Sequence, residues 1–304
     1  MGNMRGNKYS RRHIHLNPSS SSFWNFTWDE MARYDLSAMI DQTLIVSGQP
    51  FVYYVGHSQG TLTMFAKLST DPSFTKKVKM FFALAPIGSV AHIGGLLRTL
   101  TTDFATGFTA WTQMFGSGEF LPNDFFMKSF ASLACGSAIE REICKHVLFA
   151  IAGTDTRNMN TTRIPVYLSH LPAGTSSLNL LHWIQMVKTG SVAMLDLGEK
   201  RNLATYGQKI PPSYEFRNIS TIPIYLFAGG NDILANNQDI NGFLLPRIGS
   251  SVQLNVHLPD YNHLDFIWGI NAVTDVYKPI ANLIRESRQP SGKSRQLETS
   301  TTSG

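Results

Sequence analysis

The sequence predicts an α/β fold in which a mostly parallel sheet is interrupted by a helical insertion. Apolar strand patterns, rich in β-branched and aromatic residues, occur at residues 50–55, 78–86, 222–232 and 251–263. Between the second and the third of these strands, residues 90–215 are rich in Phe, Met and Leu, are broken by Gly and Pro, and show no strand–helix alternation. With 43% hydrophobic residues in a chain of 304, a sizeable core can be buried.

Helix patterns flank these strands. Residues 29–47 have the pattern of an amphipathic helix, with six side chains available for the core: Met31, Tyr34, Leu36, Met39, Ile40 and Leu44. Residues 61–69 have the pattern of a helix start, and residues 274–287 that of a closing helix. The predicted domains are a partial core at 1–89, a helical cap at 90–215, the remainder of the core at 216–287 and a disordered Ser/Thr/Gln-rich tail at 288–304.

A glycine-bracketed serine lies where the first strand meets its helix. The motif G-x-S-x-G is formed by Gly56, His57, Ser58, Gln59 and Gly60. In a strand–turn–helix context this motif predicts a strained turn that presents the serine hydroxyl at the carboxyl end of the strand. The turn also directs the backbone N–H of Gln59 to the place where an oxyanion would form. A chance match in an ordinary loop is the alternative.

A nucleophilic serine needs a histidine base that is oriented by a carboxylate. In chains with this motif, the acid follows the serine and the histidine follows the acid. Asp232 ends the strand–turn segment YLFAGGND and is the preferred acid, although a turn-forming role is the alternative. Two other candidates are Asp239, which could cap a helix, and Asp196, which lies in the predicted cap.

Chain order reduces nine histidines to two candidates for the base. Three precede or adjoin the serine, and four fall in the predicted cap: His13, His15, His57, His92, His146, His170 and His182. His257 lies inside a strand pattern, where a core or surface role is favoured. His263 lies in the loop beyond that strand and is the preferred base, with pairing to Asp260 or Asp265 as the alternative.

Charge and targeting signals bear on whether the protein binds nucleic acid, spans a membrane or is secreted. The net charge is +5, but nothing resembles a nucleic-acid-binding module. The sequence shows no signal peptide and no run long enough to span a membrane. Two cysteines nine positions apart, Cys135 and Cys144, could close a small loop or be two buried thiols. With glycosylation sequons at Asn25, Asn160 and Asn218, they favour a secretory protein.

Taken in order, seven segments resemble the animal acid lipases, the gastric and lysosomal acid lipase group of α/β-hydrolases. They are GNMRGN, WDEMARYDL, YVGHSQGT, FFALAP, YLSHLPAGTS, GGNDILA and YNHLDFIWG, and the resemblance runs from residue 2 to about residue 287. It implies a secreted or lysosomal enzyme that hydrolyses triacylglycerols or cholesteryl esters at a lipid–water interface, without metal or cofactor. By motif it implies Ser58 as nucleophile, Asp232 as acid, His263 as base and the Gln59 N–H as an oxyanion donor.

The resemblance also implies a disulfide between Cys135 and Cys144, and it places the sequons at Asn160 and Asn218 on family positions. Family members carry a signal peptide, several strands and an HG-type oxyanion loop before the GNxRGN segment, where this sequence starts. The expectation is therefore an α/β-hydrolase sheet without its first strands and low activity of these residues as written. A catalytically inactive lipid-binding or regulatory fragment is the competing hypothesis.

Overall fold

A computed structural model describes residues 1–103, 107–108, 117–120, 152–154 and 157–289. Its strands are β1 (Val52–His57), β2 (Val78–Leu84), β3 (Glu119–Phe120), β4 (Thr175–Ser176), β5 (Ile224–Gly229) and β6 (Val252–Leu258). Four of them form a parallel sheet in the order β1-β2-β5-β6, and β3 pairs with β4 in a small antiparallel sheet. The predicted α/β class with a parallel sheet is confirmed.

Helices connect and cover the strands. The α-helices are α1 (Trp28–Glu30), α2 (Leu36–Ser47), α3 (Gln59–Thr70), α4 (Gly95–Asp103), α5 (Ile164–Leu168), α6 (Ser177–Thr189), α7 (Glu199–Tyr206), α8 (Asn237–Asp239), α9 (Leu245–Ile248), α10 (Asp265–Trp268) and α11 (Lys278–Glu286). Three π-helical turns span Met31–Asp35, Ile240–Leu244 and Val273–Tyr277. Short 3₁₀ turns span Ser21–Trp24, Pro72–Lys77, Thr161–Arg163, Phe216–Asn218 and Gly249–Ser251.

The first long helix begins at a capping box. The Thr27 hydroxyl accepts a hydrogen bond from the Asp29 N–H at 3.1 Å, and the Glu30 carboxylate accepts one from the Thr27 N–H at 2.7 Å. From there helical backbone runs through the π turn into α2, which Gly48 ends in a left-handed conformation at φ 63°.

The π turn corrects one prediction about this helix. Met31, Leu36 and Ile40 are buried as predicted, but the Tyr34 residue is 50% exposed. The i→i+5 hydrogen bond from the Leu36 N–H to the Met31 carbonyl widens the turn. It brings Leu36 onto the core face and turns Tyr34 outward, where the Arg5 guanidinium lies 5.6 Å from its ring.

The two central strands carry the core. Every residue of β5 is buried, and all but one of β2 are, because parallel strands in the middle of a sheet are covered on both faces. Helix α3 packs Leu62, Met64 and Phe65 fully into the same core. The segment that leaves β1 is therefore held between a buried helix and a buried neighbouring strand.

The described parts of residues 90–215 contain helices α4 to α7 and also the antiparallel pair β3–β4. The sequence predicted no strands there, because two-residue strands leave no alternation to detect. Cys135, Cys144 and His146 lie outside the described residues, as does most of the predicted tail. Within the described ranges, no helix combines the length and apolarity needed to cross a membrane, and no cluster of potential metal ligands occurs.

Candidate active site

Ser58 sits at a strained turn between β1 and α3. Its backbone has φ 54° and ψ −122°, a conformation that costs a non-glycine residue about 1–3 kcal/mol. Neighbouring groups hold it there. The Ser58 N–H donates to the Leu84 carbonyl at 3.1 Å, and the Ser58 carbonyl accepts from the N–H and the hydroxyl of Thr61 at 2.8 and 2.7 Å. The Ser58 hydroxyl does not cap the helix that follows.

The two glycines of the motif differ in how much room they provide. A Cβ atom on Gly56 would lie 2.8 Å from the Gly60 carbonyl oxygen, a distance that real Cβ atoms do not show. A Cβ on Gly60 would meet its nearest neighbour, the Tyr54 hydroxyl, at an ordinary 3.6 Å. The close approach of strand and helix therefore requires a glycine at position 56, whereas position 60 has space for a methyl group.

Asp232 and His263 meet at the same edge of the sheet. Asp232 lies in the turn after β5, His263 lies in the loop after β6, and both side chains are almost completely buried. The His263 Nδ1 lies 2.9 Å from Oδ2 and 3.1 Å from Oδ1 of Asp232. Oδ1 also accepts hydrogen bonds from the N–H groups of Leu234 and Ala235 at 2.9 and 2.8 Å.

This arrangement fixes the tautomer of the imidazole. A carboxylate that accepts two backbone hydrogen bonds can only accept from the ring, so the proton resides on Nδ1 of His263. Its Nε2 then carries a lone pair, as a general base must. Asp265, one of the alternative partners, instead accepts the Asn262 N–H at 2.8 Å.

His57 holds the histidine loop against the serine turn. Its Nε2 lies 2.8 Å from the His263 carbonyl oxygen, and because a carbonyl only accepts, this nitrogen donates. The two imidazole rings lie 4.8 Å apart. Burial, and to a lesser extent the neighbouring His263, lowers the pKa of His57 to about 4. His57 is therefore neutral near pH 7 and adds no positive charge beside His263.

The other acidic and basic candidates lie elsewhere. The carboxylate of Asp239 accepts hydrogen bonds from Nδ1 and from the backbone N–H of His92, each at 2.9 Å. Asp196 accepts from the Gly198 N–H at 2.9 Å in a loop before α7. His257 is exposed on β6. In the part of the chain that the structure describes, no side-chain hydrogen bond or ion pair joins any of these three residues to the serine turn.

Gln59 is the first residue of α3, so its N–H has no acceptor inside the helix. This N–H lies at the positive end of the helix dipole, where a developing negative charge is favoured. The side chain of Gln59 accepts two hydrogen bonds from α6, at Asn179 and Trp183. These contacts could not be predicted from the sequence, because the partners are 120 and 124 positions away.

A second buried polar cluster was also missed. Asp29 accepts hydrogen bonds from the Tyr214 hydroxyl at 2.7 Å and the Leu195 N–H at 3.0 Å. Desolvation nevertheless raises the pKa of Asp29 to about 6. His182, stacked on Trp28 at 4.3 Å, has its pKa lowered to about 4 by burial. No local motif marks this cluster, since its members come from distant segments.

The sequons are placed differently with respect to solvent. Asn25 and Asn218 are exposed, so both amides are accessible to a glycosyl transfer. Asn160 is partly buried, and its side-chain oxygen accepts from the N–H and the hydroxyl of Thr162 at 3.2 and 2.6 Å.

Comparisons with known proteins show the family to which the chain belongs. A sequence profile for the family described as alpha/beta hydrolase fold matches residues 1–270. The chain is 52% identical over 286 residues to lipase lipl-5 of Caenorhabditis elegans, covering 93% of this chain and 71% of that protein. It is 41% identical over 290 residues to human gastric triacylglycerol lipase, covering 95% and 71%. A solved structure of a soluble variant of monoglyceride lipase from Saccharomyces cerevisiae overlaps with a TM-score of 0.50 at 9% identity, covering 91% of this chain and 76% of that one. At that identity the overlap supports the fold alone.

Proposed function

Since the chain belongs to the alpha/beta hydrolase fold family and is a lipase, we propose that it cleaves neutral lipid esters through an acyl-enzyme formed on Ser58. The observation that carries this proposal is the buried Asp232–His263 pair. The loop that carries His263 is hydrogen-bonded to His57, the residue before Ser58. A carboxylate, an imidazole in the correct tautomer and a strained serine are the three parts that acyl transfer needs.

The proposed reaction has two halves. In the first, Nε2 of His263 removes the proton of the Ser58 hydroxyl as its oxygen attacks the ester carbonyl, and the Asp232 carboxylate stabilises the imidazolium. The Gln59 N–H donates to the carbonyl oxygen as it becomes negative. The imidazolium then protonates the departing alcohol. In the second half, His263 activates a water that attacks the acyl group, which releases the fatty acid and restores Ser58.

The name of one relative supports a substrate class. It is gastric triacylglycerol lipase, and on that basis we propose triacylglycerols, presented at a lipid–water interface. The resemblance of the sequence to the acid lipase group adds cholesteryl esters to the proposal. The steps above need no metal or cofactor. We also propose a secreted or lysosomal location, a disulfide between Cys135 and Cys144, and a cap formed by residues 90–215. Exposed sequons at Asn25 and Asn218 support the secretory route.

A covalent probe tests the proposal directly. The full chain and its Ser58→Ala variant are incubated with a fluorophosphonate and assayed on a short-chain p-nitrophenyl ester and on a triolein emulsion. We expect the label on the peptide that contains Ser58, and a loss of about 10³-fold or more in turnover for the variant. Ser47→Ala, an exposed serine at the end of α2, is the matched control and should keep both labelling and turnover.

Two outcomes would contradict the proposal. Wild-type turnover by Ser58→Ala would show that another group is the nucleophile. Lipid binding by the wild-type chain with neither labelling nor turnover would favour the alternative of an inactive lipid-binding protein.

A further inference from the structure

The side chain of Gln59 connects the serine turn to helix α6. Its Oε1 accepts a hydrogen bond from the Trp183 indole N–H at 2.9 Å and one from the Asn179 amide at 3.0 Å. Its Nε2 lies 3.2 Å from the Met31 sulfur. Two donors converge on one end of the amide, so the oxygen must face α6, and the orientation of the group is fixed.

The partner helix is itself held in place. Asn179 and Trp183 are four positions apart in the helix and therefore lie on the same face of α6. The helix is capped by Ser176, whose hydroxyl accepts the Leu178 N–H at 3.0 Å and donates to the Trp24 carbonyl at 2.6 Å. Asn179 is 3% exposed. The two side chains that donate to Gln59 therefore belong to a helix whose position is fixed by its own hydrogen bonds.

From these contacts we propose that Gln59 is a positioning residue, and that its side-chain bonds to Asn179 and Trp183 hold its own backbone N–H in the oxyanion-stabilising orientation. The inference rests on the proposed function, since it assigns the Gln59 N–H to the oxyanion. The physical reason is that Gln59 follows a strained residue at the free end of a helix. The peptide groups in the first turn of a helix rotate more easily than those in its middle, and a side chain that is hydrogen-bonded at its far end restricts that rotation.

The side-chain bonds of Gln59 to Asn179 and Trp183, which we call the tether, should stabilise the transition state and not the ground state. An oxyanion donor must lie within about 2.7–3.1 Å of the place where the charge develops, and deleting one such donor typically costs about 10²–10³ in kcat. Misplacing the donor costs part of that. Gln59→Met keeps the length of the side chain but accepts no hydrogen bond from α6 as strong as those of the amide. We expect it to lower kcat by about 10- to 100-fold and to leave KM within about twofold.

A double-mutant cycle isolates the tether. Trp183→Phe keeps an aromatic ring but removes the indole donor, and it should lower kcat by about 3- to 10-fold. If the two side chains act through one bond, the double variant should be no slower than Gln59→Met alone. The matched control is Trp24→Phe, which also removes an indole hydrogen bond, to the Pro18 carbonyl at 2.7 Å. Its effect on kcat should combine additively with that of Gln59→Met.

A transition-state analogue gives a readout that a merely structural role would not move. The hemiketal oxygen that a trifluoromethyl ketone forms on Ser58 occupies the oxyanion position. In Gln59→Met, the affinity for the trifluoromethyl ketone should fall by the same factor as kcat/KM. Thermal unfolding is measured for each variant. If Trp183→Phe does not fold, Asn179→Ala removes the other donor and replaces it in the cycle.

The failures of the two proposals are distinguishable. If the wild-type chain is not labelled at Ser58, the proposed function itself fails. If Ser58 is labelled and the wild-type chain turns over, but Gln59→Met keeps wild-type kcat and inhibitor affinity, only the tether is refuted. Additive effects of Gln59→Met and Trp183→Phe would likewise refute it.

Discussion

Replacing Asp232 with Asn tests the geometry of the proposed active site most sharply. The Asp232 residue is 3% exposed, and its Oδ1 accepts two backbone hydrogen bonds, from Leu234 and Ala235. In the variant, those two N–H groups select the amide oxygen for the Oδ1 position. The amide NH₂ is then forced into the Oδ2 position, 2.9 Å from Nδ1 of His263.

Two donors cannot face each other, so the imidazole must carry its proton on Nε2 instead of Nδ1. In that tautomer Nε2 has no lone pair to accept the Ser58 proton, and no carboxylate stabilises an imidazolium. The same substitution in a serine protease triad lowers kcat by about 10⁴-fold. That factor corresponds to about 5.4 kcal/mol in the activation barrier. Because both backbone hydrogen bonds survive, we expect the stability of Asp232→Asn to change far less than its turnover.

The assay is initial-rate hydrolysis of a short-chain p-nitrophenyl ester, with urea unfolding of the same preparations. Asp239→Asn is the matched control, because Asp239 is an equally buried carboxylate paired to a histidine at 2.9 Å, but away from the serine turn. Its kcat should stay within about threefold of wild type. The reasoning is refuted if Asp232→Asn retains more than a tenth of wild-type kcat, or if Asp239→Asn is the slower enzyme.

Three further predictions concern the surroundings of the site. Gly56→Ala forces a Cβ against the Gly60 carbonyl and should cost about 1–3 kcal/mol in urea unfolding, whereas Gly60→Ala should cost less than about 0.5 kcal/mol; equal costs would contradict the close approach. Burial raises the pKa of Asp29 to about 6, so the folded state holds a proton that the unfolded chain releases, and the contribution of this group to stability falls as the pH rises from about 4 to about 6. Asp29→Asn removes this dependence, so the free energy of unfolding of the variant should gain about 2 kcal/mol relative to that of wild type between about pH 4 and pH 7, and a pH-independent difference would refute it. His57→Phe removes the bond to the His263 carbonyl and should lower kcat by about tenfold, while His57→Gln, which keeps a donor, should recover most of it in the same rate assay; a Gln variant as slow as the Phe variant would count against this role.

Much of the site could be predicted because its signals are local. The serine turn shows in five consecutive residues, and its strand and helix lie directly beside it in the sequence. Asp232 and His263 are far apart in the chain, but each directly follows a recognisable strand. Since parallel strands present their carboxyl ends at one edge of the sheet, the sequence predicts that these residues meet without any knowledge of distances.

The remaining features depend on contacts that no local pattern encodes. The exposure of Tyr34 follows from a π turn, and a helix period extrapolated from the sequence cannot show where such a turn falls. The bonds of Gln59 to α6 depend on how a distant helix docks. The need for glycine differs between positions 56 and 60 although the motif treats them alike, because only the packed structure shows which Cβ would collide.

The geometry of the site is maintained by the carboxyl ends of three adjacent strands. The Ser58 N–H donates to the Leu84 carbonyl at the end of β2, and the N–H of the next residue, Ala85, donates to the Phe227 carbonyl in β5 at 2.9 Å. Asp232 follows β5 by a short turn. A row of backbone hydrogen bonds therefore leads from Ser58 to β5, the strand that precedes Asp232.

Thr61 strengthens the first step of this row. Its hydroxyl donates to the Ser58 carbonyl at 2.7 Å and accepts the Ile87 N–H at 2.8 Å, which joins α3 to the segment after β2. Because the Ser58 conformation is strained, it persists only while these bonds from two elements hold it. The distance between Ser58 and Asp232 is thus set by the edge of the sheet. The contact of His57 then joins the loop that carries His263 to this edge, and the contacts of Gln59 join α6 to it.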